Sequence, residues 1–313
     1  MPTDLVSWND GAAKSAILDF VAKVITASSP TFVPPAERIA TFDNDGTLWL
    51  EKPLYIQLQH GLRAIGKLAA EKPDVRDRQP FKAVHEKDTA WLGQVAADYS
   101  KGDPSGVFTL AAGIAEACAR TTVEEFEADA LVFLSTTQDP RFDLPYKQLT
   151  YQPMVELVHY LQDNGFQVHL VSGGGRDFMR AVCEEIYGIP RSLAIGSSVA
   201  TTYAEDAQGV AQVMRTKEIE LPIDDGPGKP LHIHRAIGRR PIMAAGNADG
   251  DIHMLKYAGG HKGPTLGLLV HHDDAEREYA YDGGAERALR SAPEEGWIVV
   301  SMKDDWKMVF AER

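Results

Sequence analysis

Cysteine is almost absent from this sequence: Cys118 and Cys183 are the only two among 313 residues. Each falls in a helix-like segment with no Cys/His cluster nearby, so both are expected to be reduced core thiols rather than parts of a disulfide framework. Long apolar runs are missing too, and no stretch approaches the ~18–20 residues that a membrane-spanning helix needs. Positive charge is in deficit. Thirty-two Lys and Arg against 45 Asp and Glu give a formal net charge of −13 at pH 7, which argues against a general nucleic-acid binder, since that needs a basic face. The opening MPTDLVSWNDGAAK has no basic segment followed by an apolar one. The expected location is therefore the cytoplasm, with the periplasm as the alternative for a chain whose leader has been removed. No internal repeat and no low-complexity linker occurs.

What is present is ordinary globular composition, 44% hydrophobic and 25% charged, in a chain long enough for one elaborated domain or two. Apolar spacing predicts a helix over 12–26 and a short buried strand over 38–42. Helical spacing then continues over 54–70, 81–99, 107–120 and 123–134, the last opened by a capping-box pattern, TVEE. Beyond the break QDPRFDLPY, helix and strand alternate: helices over 153–164, 177–187, 231–238 and 251–257, and strands over 166–171, 241–245, 265–271 and 297–302. A strand-rich stretch from 193 to 215 turns at Gln208-Gly209. Strands joined through helices imply an α/β fold with a mostly parallel sheet, whose ligands bind beyond the carboxyl ends of the strands. Residues 1–50 and 151–313 are expected to form that sheet domain, with 51–150 as a helical insertion.

Polar groups recur where the predicted strands run out. Asp43-Asn44-Asp45-Gly46-Thr47 follows the first, Ser172-Gly173-Gly174-Gly175 another, and Gly246-Asn247-Ala248-Asp249-Gly250-Asp251 a third; Lys229 stands in DGPGKP, read as a loop before a helix. Strand ends of one parallel sheet lie side by side, so these groups would converge. Their chemistry fits phosphoryl transfer. One carboxylate can attack phosphorus, and a second two residues on can protonate the leaving oxygen and then activate water. A hydroxyl, glycine amides and a lysine can hold phosphoryl oxygens, and hard oxygen donors suit Mg²⁺.

These motifs, in this order and spacing, resemble those of the haloacid dehalogenase superfamily, most closely its phosphoserine phosphatase-like branch. The signature Asp-x-Asp-Gly-Thr is matched by Asp43, Asp45, Gly46 and Thr47, the following Ser or Thr by Ser172, the lysine by Lys229, and the acidic fourth motif by GNADGD. The resemblance implies a Rossmann-like core with an inserted helical cap, and Mg²⁺-dependent hydrolysis of a small phosphorylated metabolite. It implies Asp43 as nucleophile and Mg²⁺ ligand, and Asp45 as general acid/base with its carbonyl on the metal. Thr47, Ser172, Gly173 and Lys229 would hold the phosphoryl group; Asn247 would bind the metal, and Asp251 would belong to the metal shell. Two positions depart from the pattern. Asn247 stands where Asp is commoner, and Lys52 stands where phosphoserine phosphatases carry a glutamate that reads the substrate amine. A lysine there repels an ammonium group, so phosphoserine is not the expected substrate, and Lys52 itself is a candidate substrate contact or a surface lysine. Asp45 favours an oxygen leaving group over a halide, which needs no proton. A phosphotransferase, or a weakly active phosphate-binding or sensory protein, remains open, as does oligomeric state.

Other readings are weaker. Asp-Gly is a frequent turn dipeptide, but an EF-hand loop needs glycine at its sixth position, which here is Leu48 or Ile252. Gly173–Gly175 lack the dinucleotide fingerprint, and Gly-x-Ser-x-Gly is absent. His232 and His234 point to different faces of a helix, Lys217 is a lesser rival to Lys229, Asp249 reads as a turn position, and HHDDAERE (271–278) reads more readily as a solvated turn than as a site wall.

Overall fold

The computed structural model describes residues 5–311, with the side chains of Tyr99 and Ser100 excepted; the first four residues of the stretch read for a leader lie outside it. The fold class is α/β, as expected. Eight strands occur among the described residues: β1 (Ile39–Phe42), β2 (Gln167–Gly175), β3 (Ala194–Ser197), β4 (Val199–Glu205), β5 (Ala211–Ile219), β6 (Met243–Gly246), β7 (Leu266–His271) and β8 (Ile298–Ser301). Six form one parallel sheet in the order β3-β2-β1-β6-β7-β8. The strand order runs outward from β1 in one direction and resumes from β6 in the other. The crevice between β1 and β6 is therefore the topological switch point, where open α/β sheets bind ligands.

Register sets what meets there. Phe42 pairs with both Leu170 and Ala245, so the residues just past the ends of β1, β2 and β6 stand abreast. β1 is buried at every position, as a central parallel strand covered on both faces must be. Helix Ala12–Ile25 packs Ile17, Phe20, Val21 and Val24 into the same core cluster as Phe42, Leu170 and Val168. A second cluster joins Ala244 and Leu269 to Ile233, Ile252 and Leu255. Each fully buried Val, Leu, Ile or Phe among these contributes about 1.5–3 kcal/mol.

Two compact units result. One comprises Met1–Pro53, Leu134–Ser197 and Pro222–Arg313; the other comprises Leu54–Phe133 and Ser198–Leu221. The expected insertion, 51–150, thus differs from the helical unit at both ends: residues 134–150 fall in the sheet unit. The antiparallel hairpin β4–β5, placed by sequence in the sheet domain, belongs with the helices. Its partners explain this, since Arg120 donates its N–H to the Arg215 carbonyl and Arg215 returns one to Thr121. The helical unit builds its own core from Ile65, Ala69, Val75, Phe81 and Leu110. Its capping box forms as expected: Thr122 Oγ1 accepts from Glu125 N at 3.0 Å, and Glu125 Oε2 accepts from Thr122 N at 2.8 Å.

Several boundaries shift for identifiable reasons. The helix expected over 81–99 divides into Phe81–Glu86 and Thr89–Ser100. Lys87 adopts a left-handed φ of 56° that closes the first, and Asp88 accepts from Trp91 N at 3.0 Å to open the second. The helix expected over 177–187 likewise becomes Arg176–Arg180 and Cys183–Tyr187. Helix Glu286–Glu295 was not foreseen: only Ala288 and Ala292 form its buried stripe, and Pro293 interrupts the pattern. Cys118 and Cys183 are free and buried, and burial pushes each thiol up to about 11. No helix among the described residues is long and apolar enough to cross a membrane.

Candidate active site

The chain leaves β1 at Asp43 and turns back on itself at once. Asn44 O accepts from Thr47 N and Leu48 N, Gly46 N donates to Trp49 O at 2.9 Å, and the Trp49 indole N–H donates to Asp45 Oδ1 at 2.9 Å. Tyr187 ties the turn to the sheet unit through its hydroxyl, 2.9 Å from Asn44 Oδ1. Glycine is required at position 46. Its φ is +74°, and an added Cβ would lie 2.1 Å from Asn247 Nδ2. The turn and the β6 end are therefore in van der Waals contact.

Lys229 reaches the same point from another element. Sequence placed it in a loop; it lies in the first turn of helix Gly228–Ile237. The preceding Gly228 packs against the Ile223 carbonyl, where a Cβ would sit 1.9 Å away. The Lys229 side chain is fully buried. Its Nζ lies 2.5 Å from Asp43 Oδ1, 2.6 Å from Asp251 Oδ1 and 3.1 Å from the Val171 carbonyl. Asp251 uses its other oxygen to accept from the backbone N–H groups of Asn247 and Ala248. Both its oxygens are thus engaged, so Asp251 shapes the loop and fixes the lysine. Asn247 Oδ1 accepts from Thr47 Oγ1 at 3.2 Å, and its Nδ2 is 3.4 Å from Glu51 Oε1.

The electrostatics follow from burying several carboxylates with a single ammonium. Burial first, then the Asp251 charge, pushes Asp43 upward, and Lys229 opposes this. Burial alone would lower Lys229, but Asp251 and Asp43 outweigh it and hold the lysine protonated. Asp45 is pushed up to about 6, by burial first and then by Glu51, while the Trp49 hydrogen bond pulls it back. Asp224, which sequence reading passed over, is buried, and neither carboxyl oxygen has a hydrogen-bond partner among the described residues. Burial lifts it to about 8. Only its place in the DDGPGK loop could have signalled it.

Among the described residues no three His, Cys, Asp or Glu side chains are grouped to hold a metal. The hard oxygens that could hold one are the Asp43 carboxylate and the Asn247 amide oxygen, with the Asp45 main-chain carbonyl as the third that the sequence motif implies. All are hard oxygens in a site with excess buried negative charge. That set fits a small divalent cation which keeps several waters.

Ser172 is buried at the end of the β2 core, and its Oγ accepts from Gly174 N at 3.0 Å. Ser172–Gly175, expected to follow the end of the strand, continue it; Gly173 O accepts from Ser197 Oγ at 2.8 Å. Lys52 is partly exposed, 3.7 Å from Glu51 Oε1 and 4.4 Å above the Tyr281 ring. His232 bonds the Pro222 carbonyl at 2.8 Å, and Lys217 lies on β5 in the other unit. Asp249 accepts from Ala288 N at 2.8 Å and so anchors the start of helix Glu286–Glu295.

No family model matches the chain, and no curated protein matches it. Solved structures do. A protein of unknown function from Anaerococcus prevotii DSM 20548 is 16% identical, with TM-score 0.52, over 92% of this chain and 91% of its own. One from Bordetella pertussis Tohama I is 16% identical, with TM-score 0.51, over 84% and 98%. A phosphoserine phosphohydrolase-like protein from Francisella tularensis subsp. tularensis SCHU S4 matches at 16% identity and TM-score 0.46, over 84% and 94%. At such identity the first two establish likeness of fold.

Proposed function

We propose that this chain is a phosphatase of the haloacid dehalogenase kind, hydrolysing phosphate monoesters of small organic molecules through a phosphoryl group carried on Asp43. The observation that carries the reading is the meeting of Asp43, Lys229, Asp251, Asn247 and Thr47, drawn from three separate segments, at one switch point.

Asp43 attacks phosphorus with one carboxylate oxygen, and the bond to the leaving oxygen breaks. Asp45, whose position near pH 6 lets it hold or release a proton, protonates that oxygen. It then takes a proton from the water that cleaves the aspartyl-phosphate, returning Asp43 and releasing inorganic phosphate. Lys229, Thr47, Ser172 and Gly173 hold the phosphoryl oxygens, and Asp251 keeps the ammonium aimed. Mg²⁺, held by Asp43, Asn247 and the Asp45 carbonyl, would offset charge on the phosphoryl group. Asp45 would serve the metal through its carbonyl, and Asp251 would support the metal shell from outside. Lys52 favours leaving groups without an ammonium, so phosphoserine is expected to be a poor substrate.

Turnover of an aryl phosphate by the purified protein, lost by at least about 1,000-fold in Asp43→Asn and on chelation, is the expected result. An inert wild type sinks the enzyme reading. The neutral Asn247 favours a second reading, a weakly active phosphate-binding or sensory protein, which phosphate binding without turnover would support. Phosphate release without an added acceptor separates hydrolysis from phosphotransfer.

A further inference from the structure

The segment after β7, whose sequence looks like a solvated charged turn, folds back onto the nucleophile turn. His272 is buried, with 2% of its surface exposed. Its Nε2 lies 2.8 Å from the Gly46 carbonyl oxygen, and its Nδ1 lies 3.1 Å from Glu278 Oε2. Glu278 is fully buried, and its other oxygen accepts from the Tyr151 hydroxyl at 3.3 Å. The imidazole stacks on the Tyr281 ring, with centroids 4.4 Å apart and planes 22° apart. Tyr281 N in turn donates to the His272 carbonyl at 2.9 Å.

The hydrogen-bond inventory fixes more than position. A carbonyl only accepts, so Nε2 must carry the proton directed at Gly46. Nδ1 then either donates to the Glu278 carboxylate or accepts from its acid form. Both arrangements leave the buried pair neutral overall and the ring locked at two ends. The Gly46 carbonyl and the Thr47 N–H belong to one peptide, and that N–H donates to Asn44 O at 3.1 Å. This peptide, the second after Asp45, is therefore held at both edges, one of them from an element 226 positions away.

We propose that His272, oriented by Glu278, is a positioning residue that holds the Gly46 carbonyl and so aims Asp45 at the leaving-group oxygen. The role rests on the phosphatase reading above. It predicts a dependence on leaving group that general loosening of the fold does not. An alkoxide needs the proton of Asp45 to depart, whereas 4-nitrophenolate scarcely does.

The test compares kcat/KM for 4-nitrophenyl phosphate and for an alkyl phosphate of similar size in wild type, His272→Phe, His272→Gln and Glu278→Gln. Phe keeps the ring stacking and removes the donor. For His272→Phe we expect a loss of about 100-fold on the alkyl ester and about threefold on the nitrophenyl ester, within the range that a positioned general acid supplies. His272→Gln, which retains an N–H donor, should recover at least about tenfold of the alkyl loss. Glu278→Gln should show the same skew at smaller size, and it decides the matter if His272→Phe does not fold. Equal losses on both esters, or wild-type rates on both, overturn the positioning role alone. Wild-type turnover that survives Asp43→Asn, or no turnover at all, overturns the reaction reading and this role with it.

Discussion

In the helical unit, most of the residues that hold one another come from the single stretch Leu54–Phe133. Thr122 caps against Glu125, Gly113 leaves room for Pro80 and Gly61 for Ile114, and the hairpin is added by the Arg120–Arg215 and Arg215–Thr121 bonds. In the sheet unit, the candidate site joins Asp43 to Lys229 across 186 positions, Thr47 to Asn247 across 200 and Gly46 to His272 across 226. The first kind of contact is local and graded. The second exists only once the whole parallel sheet is in register, because sheet order decides which strand ends are neighbours. Changes in the sheet unit should therefore cost more, and should cost chemistry as well as stability.

The largest effect on stability is expected from Lys229→Met. It leaves Asp43 and Asp251 buried without their shared cation, and breaking a buried ion pair in this way costs about 3–5 kcal/mol. Chemical denaturation at neutral pH measures it; a loss near zero would mean that the carboxylates do not share the ammonium. Next is His169 on β2, which burial holds down to about 4 from an ordinary 6.5, outweighing a backbone hydrogen bond at Leu193 that raises it. Between those values the unfolded chain binds the extra proton and the folded chain does not. Stability is thus full above about pH 6.5 and is lost as pH falls toward 4, by roughly 3 kcal/mol in all. His169→Leu should flatten that part of the pH–stability curve, and an unchanged slope would remove His169 as its source.

Gly46→Ala should cost about 2 kcal/mol through its left-handed backbone alone. Its Cβ also displaces Asn247, so activity should fall further than stability predicts. Comparing melting temperature with turnover in one preparation checks this. The smallest effect is expected in the helical unit, where Thr122→Ala removes a cap worth about 1 kcal/mol. A loss as large as that of Lys229→Met would erase the contrast between the two units.

The turn after β1 was legible because its chemistry is written in consecutive residues. Asp43, Asp45, Gly46 and Thr47 carry both the candidate reacting groups and the glycine that the turn demands. Ser172 and Asn247 could be named because each follows a recognisable apolar run, and Lys229 because it stands in a glycine-rich loop before a helix. His272, Glu278 and Tyr151 could not, since a histidine among Asp, Glu and Arg reads as solvated surface unless the neighbouring backbone is known to cover it. The reassignment of β4–β5 failed to show for a related reason: the strands alternate as strands do, but nothing local says which unit supplies their partner.

The sequence by itself determined the α/β alternation, the short buried strand β1 and which side chains are candidates for the reaction, because periodicity, turn chemistry and side-chain type are local properties. Tertiary structure alone decided that β1 and β6 are neighbours, that one ammonium serves both Asp43 and Asp251, and that a charged segment after β7 is buried against Gly46. Those are consequences of sheet order and register, and they arise only when strands far apart in the chain exclude water together.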